Sequence, residues 1–384
     1  MADRIRVALV AHGVHDHGGM ERAFYELVRR GSETVDFVVL SAELAPELRP
    51  LVEWKRIVVP PRPIPLKTVL FAAVAAARLR RTPRDLVHTL GAIVPPPLDL
   101  ATVQFCSAGF HAATGRFAPP QSPPLRRLNT TLARLVALGL ERWAYRPGNA
   151  RAFGAVSTGI GRELRLHYPG IEVSLTPNAV DSDRFRPDAA TRASLRTELG
   201  VEDATFVALF VGGDWDRKGL ELAIDGLARA AVPASELWVV GRGDKARFAA
   251  RARAAGVGAR VRFVGPRHDT ERWYAAADAF VFPTLYEAAP LVAYEAAAAG
   301  LPLIATRANG VEDLLGDDEA GISVTRDAES IADAIRQLAG DDELRSRLGD
   351  EARARASRHD WDSSVNAVLT LYDELALPRN GARP

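Results

Sequence analysis

The chain has 384 residues, 47% of them hydrophobic and 25% charged, with a formal net charge of +1. That length exceeds one compact core and sets two domains as the expectation, while the near-neutral balance argues against nucleic acid as a partner. The single cysteine, Cys106, excludes an internal disulfide and a cysteine-based zinc site and fits a reducing cytosol.

The opening MADRIRVALVAHG enters strand-like residues at once, without the charged, apolar and cleavage regions of a secretion signal. The longest apolar runs, such as VLFAAVAAA at 69–77, are about half a membrane span. The expectation is a cytoplasmic protein able to touch the inner face of a membrane without crossing it.

In chain order, IRVALVA (5–11), VDFVVL (35–40), RIVVP (56–60), LVHTL (86–90), LATVQF (100–105) and GAVST (154–158) read as strands. ATFVALFVG (204–212), SELWVVG (235–241), RVRFVG (260–265), AFVFPT (279–284) and LPLIAT (301–306) do the same in the second half. Continuous apolar runs separated by helical stretches predict parallel sheets buried on both faces. Both halves repeat the pattern, which predicts an α/β protein of two doubly wound, Rossmann-like domains. TPNAVDSDRFRPD (176–188), rich in Pro, Asn and Asp, marks the boundary. Ligands in such folds lie beyond the carboxyl ends of the strands, here in a cleft between the domains.

Between these strands lie four stretches with chemistry. In the first, His12, His15 and His17 lead into Gly18 and Gly19. Closely spaced imidazoles can hold zinc. Glycines ahead of a helix starting near Met20 let backbone N–H groups approach an anion or an acceptor, which is the reading adopted. In the second, LRRLNTTLARLVALGLERWAY (125–145) sets Leu125, Leu128, Leu132, Leu135, Gly139 and Trp143 on one helical stripe, with Arg126, Arg127, Arg134, Arg142 and Arg146 off it. Such a helix over 125–146 either packs its stripe on its own domain or lies on an anionic membrane.

In the third, FVGGDWDRKG (210–219) leaves a strand through Gly212 and Gly213 and sets Arg217 beside Lys218. Cations aimed at a departing diphosphate stabilise the transition state more than the ground state. In the fourth, EAAPLVAYE (287–295) holds Glu287 and Glu295 eight positions apart. Pro290 suits a first helical turn, and eight residues of helix rise about 12 Å. That is too far for two carboxylates sharing one glycosidic bond, but suited to the two ends of an elongated ligand. The backbone from Ala288 and Ala289 through Pro290, Leu291 and Val292 forms a helix N-terminus between them, an anion site. Hydroxyls at both ends with phosphate between describe a nucleoside diphosphate sugar, and carboxylates accept strongly from hydroxyls.

LYEAAPLVAYEAAAAGLPLIAT resembles the Glu-x7-Glu segment of the retaining glycosyltransferases of family 4, which adopt the GT-B fold. HGGMERAF, AVSTGIGRELRLHYP with VSLTPNAVDSDRFRP, FVGGDWDRKGL and HDWDSSVNAVLTLYDEL resemble the family's other signatures in order. The resemblance implies an N-terminal acceptor-binding domain over 1–178 and a donor-binding domain over 179–359. It also implies a last helix, about 360–376, that crosses back to the first domain. It assigns Glu287 to the donor hexose and Glu295 to the nucleotide ribose. Gly213 stands where many members carry arginine, and the Arg-Lys-Gly order is similar to that of lipopolysaccharide core glucosyltransferases, so the cationic role goes to Arg217 and Lys218 together. His111, in FCSAGFH (105–111), is the nearest candidate for a histidine that contacts the donor sugar; a purely structural role remains open beside it. Ala179 and Ala288 replace family glycines, which are there either for positive φ or for space.

The activity so implied is metal-independent transfer of a hexose, with retention, from a UDP-linked donor to an acceptor hydroxyl of a glycan, glycolipid or small molecule. With two cations at the diphosphate, no metal site and no other cofactor is expected. The alternatives are a same-fold epimerase or phosphorylase, or a sugar-nucleotide-binding partner without turnover.

Overall fold

The computed structural model describes residues 4–117 and 123–377. The chain divides into two compact units, the first formed by residues up to Asn178 and again from Trp361, the second by Ala179–Asp360.

The first unit runs β1 (Arg6–Val10), α1 (Met20–Gly31), β2 (Asp36–Ser41), β3 (Glu53–Arg56), α2 (Ile64–Leu79), β4 (Leu86–Leu90), β5 (Leu98–Val103), α3 (Ser107–Thr114), α4 (Pro124–Ala144), β6 (Ala150–Ala155), α5 (Thr158–His167) and β7 (Val173–Leu175). Its sheet has the order β3-β2-β1-β4-β5-β6-β7, and every pairing is parallel. The second unit runs α6 (Ala189–Leu199), β8 (Phe206–Val211), α7 (Trp215–Lys218), α8 (Leu220–Ala230), β9 (Ser235–Val240), α9 (Lys245–Ala254), β10 (Val261–Gly265), α10 (Thr270–Ala276), β11 (Ala279–Phe282), α11 (Leu291–Ala298), β12 (Leu303–Ala305), α12 (Val311–Leu315), β13 (Gly321–Ser323), α13 (Ala328–Gly340) and α14 (Asp342–Ala356). Its sheet is also parallel, in the order β10-β9-β8-β11-β12-β13. The last helix, α15 (Trp361–Ala376), belongs to the first unit.

Both sheets reverse strand order beside their first strand, β1 and β8, which is the doubly wound pattern. The strands there are apolar throughout because helices cover both faces: every residue of β8 is buried. Each unit has its own core. Val7, Leu9, Phe24, Leu27 and Val39 pack with Val365, Val368, Leu371 and Tyr372 of α15 in the first. Phe210, Ile224, Leu227, Val239, Ile304 and Ile335 pack in the second.

Two strand expectations shift. The strand near RIVVP lies earlier, at Glu53–Arg56, because its one neighbour, β2, ends at Ser41, which pairs with Arg56. Beyond that point Val58 is exposed. GAVST falls at the end of β6 and in the turn after it, where Ser157 caps α5 by accepting from Ile160 N–H at 3.2 Å. The short strands β7 and β13 lacked an apolar run long enough to flag them.

Candidate functional site

In the second unit the chain leaves β8 through Gly212 (φ +129°) and Gly213, and turns at Asp214, whose φ of +50° is left-handed. Buried Trp215 then starts the single-turn α7, its Nε1 donating to the Gly212 carbonyl at 2.8 Å. Gly219 ends the turn with φ +82°, and a Cβ there would stand 2.4 Å from the Pro283 carbonyl oxygen, so only glycine fits. The loop after β11 thus lies directly against α7.

That approach brings together three side chains singled out in the sequence. Arg217 Nη1 donates to Glu287 Oε1 at 2.7 Å and Lys218 Nζ to the same oxygen at 3.2 Å. Thr284 Oγ1 reaches it at 3.2 Å. Arg217 Nε also donates to Asp214 Oδ2 at 2.8 Å, and Lys218 Nζ stands 4.5 Å from the centroid of Phe282. Burial lowers the Lys218 pKa below the usual lysine range, with Glu287 opposing and Arg217 adding to the shift. For Arg217 burial acts downward, but Glu287 and Asp214 outweigh it and raise the pKa.

Glu295 lies on α11, one turn into the helix. Pro290 is its N-cap and has no N–H, so the donors of this terminus begin at Leu291 and Val292. Tyr274, buried on α10, sends its hydroxyl to Glu295 Oε2 at 3.0 Å and lies 3.2 Å from the Val292 carbonyl. Its pKa is raised well above normal by burial, then by the Glu295 charge. Ala288 and Ala289 are buried and are backed by Gly310 (φ +77°), where a Cβ would come within 2.6 Å of Ala289 Cα. Neither Ala179 nor Ala288 is among the non-glycine residues with positive φ, so neither alanine is strained where it stands.

The other expected residues belong to the first unit. Gly19 is the N-cap of α1, and Gly18 (φ +90°) faces the Glu21 carboxylate, whose Oε2 would lie 2.8 Å from a Cβ there. An anion approaching these glycines meets a like charge, which favours a hydroxyl-bearing ligand at this terminus. His15 Nε2 lies 3.8 Å from Glu43 and His17 Nδ1 3.1 Å from Asp16. The His12 ring lies 4.2 Å from that of Phe71, tilted by 54°, and burial, then the Lys67 charge, pushes its pKa down to about 4. Among the described residues no group of three His, Cys, Asp or Glu side chains is arranged to hold a metal ion.

His111, on α3, stacks flat on Phe117 at 4.2 Å. The start of α3 is held from α4 by Glu141, a buried carboxylate accepting from Ser107 N–H at 2.7 Å, Ala108 N–H at 3.1 Å and the Tyr168 hydroxyl at 2.6 Å. The opposite face of α4 is bare: Leu125, Leu128, Leu132, Leu135 and Trp143 are all exposed, Leu125 at 84%. The helix packs on its domain through Leu138, Glu141 and Ala144, so the predicted stripe is not what it uses. Neighbouring α2 exposes Ile64, Leu66 and Val69 as well.

Tyr274, Thr284 and Glu141 were missed in the sequence. Tyr274 and Glu141 act across tertiary contacts, and Thr284, though only three residues before Glu287, stands in no pattern that signals a role.

The model of Glycosyltransferase Family 4 matches residues 17–184, and that of Glycosyl transferases group 1 matches residues 205–341. A D-inositol 3-phosphate glycosyltransferase of Corynebacterium jeikeium is 34% identical over 218 residues, 53% of this chain and 52% of the relative. The chain spans about half the length of the first curated relatives it matches. Among solved structures, WaaG, a glycosyltransferase involved in lipopolysaccharide biosynthesis, superposes with a TM-score of 0.78 at 24% identity, covering 94% of this chain and 98% of its own. HepE from Anabaena, in complex with UDP and glucose, gives 0.73 at 18% identity, covering 97% and 100%. These two likenesses show the fold, which is GT-B.

Proposed function

Because the chain belongs to the glycosyltransferases of family 4, built on the GT-B fold, we propose that it transfers a hexose from a nucleoside diphosphate sugar to an acceptor hydroxyl, with retention and without a required metal. The observation that carries this reading is the cluster of Arg217, Lys218 and Glu287, joined through one carboxylate oxygen, with Glu295 on the following helix. A diphosphate entering there draws the two cations, whose charge stands where a divalent ion would otherwise be needed. Glu287 then accepts from hexose hydroxyls, and Glu295, held by Tyr274, accepts from the ribose. The bond from the anomeric carbon to the phosphate oxygen breaks as the acceptor oxygen bonds to the same face. The acceptor's proton passes to the departing phosphate oxygen, so no carboxylate has to exchange protons. A UDP-linked donor is the favoured choice, supported by the UDP complex of HepE.

Calorimetric titration with UDP, GDP and ADP, each with and without EDTA and repeated with Glu295→Ala, tests the reading. One nucleotide is expected to bind tightly, indifferent to EDTA and weakened by the substitution. Binding by none, or only with metal, overturns it.

For the acceptor, the bare apolar face of α4 with Arg126, Arg127 and Arg142 exposed beside it favours a lipid-borne glycan at an anionic membrane surface. No helix of the described residues is long and apolar enough to cross a membrane. Sedimentation with vesicles containing anionic lipid at low salt is expected to carry the protein down; protein left in the supernatant ends the membrane reading.

A further inference from the structure

We propose that Arg326 is a positioning residue of the donor site: it ties the loop bearing Glu287 to the turn bearing Arg217 and Lys218, and it supplies a positive charge that no carboxylate among the described residues offsets. The inference deepens the function proposed above and rests on it.

Arg326 follows β13 and precedes α13. Its neighbour Asp327 is spent on capping α13, accepting from Ser330 N–H at 2.8 Å, which fixes the backbone beside Arg326. Arg326 Nη1 donates to the Pro283 carbonyl and, at 3.3 Å, to the Arg217 carbonyl. The same Arg217 carbonyl accepts from Leu285 N–H at 2.8 Å. One guanidinium nitrogen therefore bridges the two segments where they touch, beside the close approach of Gly219 to Pro283. Since Arg217, Lys218 and Glu287 come from these two segments, their mutual geometry depends on that seam.

The charges point the same way. Arg217 and Lys218 are matched by Glu287 and Asp214, so those four groups sum to zero. Arg326 forms no ion pair among the described residues, and burial alone shifts it, downward. A half-buried, unmatched cation behind the loop leaves the cluster net positive, and that charge is felt strongly where solvent is partly excluded.

The test compares wild type with Arg326→Lys and Arg326→Gln. UDP and inorganic pyrophosphate are titrated at low and moderate salt, and hydrogen exchange of the Leu285 amide is followed without ligand. The glutamine variant is expected to bind both ligands about tenfold more weakly with a shallower salt dependence, and to exchange the Leu285 amide about tenfold faster. The lysine variant, which keeps the charge, is expected to regain most of the affinity. Affinities within twofold of wild type in both variants overturn the proposal. A wild type that binds neither ligand ends the donor-site reading itself; Leu285 exchange then decides the tie alone, and unchanged exchange overturns it. Should the glutamine variant fail to fold, the lysine variant must still show faster Leu285 exchange, and unchanged exchange there counts against the tie.

Discussion

Glu287 accepts from Arg217, Lys218 and Thr284 on Oε1 alone, so with Asp214 on Arg217 both cations of the pair are matched before any ligand arrives, and the surplus charge is that of Arg326. In the proposed function a diphosphate competes with Glu287 for the two cations and releases the carboxylate for hydroxyls. Lys218→Ala removes the buried cation of the set and is expected to lower kcat on the order of 10²–10³, as for single oxyanion donors; a loss below threefold in steady-state rates takes Lys218 off the catalytic list. Tyr274→Phe deletes one hydrogen bond to Glu295 worth about 1 kcal/mol, so nucleotide affinity is expected to fall about fivefold in a calorimetric titration. An unchanged affinity would mean that Glu295 needs no support. The four charged residues were legible because each stands in a short motif whose spacing carries chemistry. Tyr274 and Arg326 were not: they lie on other elements, and only the folded chain brings them near.

α4 has two unlike faces. Its inward Glu141 holds the start of α3, and losing that carboxylate orphans two helix-terminal N–H groups; Glu141→Ala is expected to cost about 3 kcal/mol, read as a lower urea midpoint. Its outward stripe is already solvated, so Leu128→Asp with Leu132→Asp is expected to leave that midpoint nearly unchanged while abolishing vesicle sedimentation. The stripe was legible from its spacing, but whether it faced the domain or solvent was not, because both faces of this helix carry apolar residues. On β4, His88 is buried between the Tyr372 hydroxyl at 2.6 Å and Thr102 Oγ1 at 2.8 Å, and burial pushes its pKa down to about 3. The unfolded chain protonates this histidine first, near the ordinary histidine value of 6.5. The stability it protects is therefore whole above that value and is lost as pH falls toward 3. Denaturant midpoints measured between pH 7 and 4 are expected to decline less steeply in His88→Gln; equal slopes would place the acid sensitivity elsewhere. The central strands were legible because both of their faces are covered. RIVVP misled because a partner strand's end, not an apolar run, decides where an edge strand stops.

Two cores in one chain give a calorimetric expectation at the scale of the molecule. Heating is expected to show two transitions, and a nucleoside diphosphate at a hundred times its Kd is expected to stabilise the unit from Ala179 to Asp360 by about 2.7 kcal/mol. A single transition displaced as a whole would mean that the cores melt together. The connectivity also fixes an order in time. The first unit lacks α15 until the ribosome has passed residue 376, although β1–β7 are complete by residue 175. At 5–20 residues per second that gap lasts roughly 10–40 s. Throughout it, His88 waits for a tyrosine 284 positions downstream, and the side chains that will pack on Val365, Val368 and Leu371 stand uncovered. The unit encoded second has all of its residues before the unit encoded first, so the nascent N-terminal half is expected to stay incomplete, and open to chaperones, for longer.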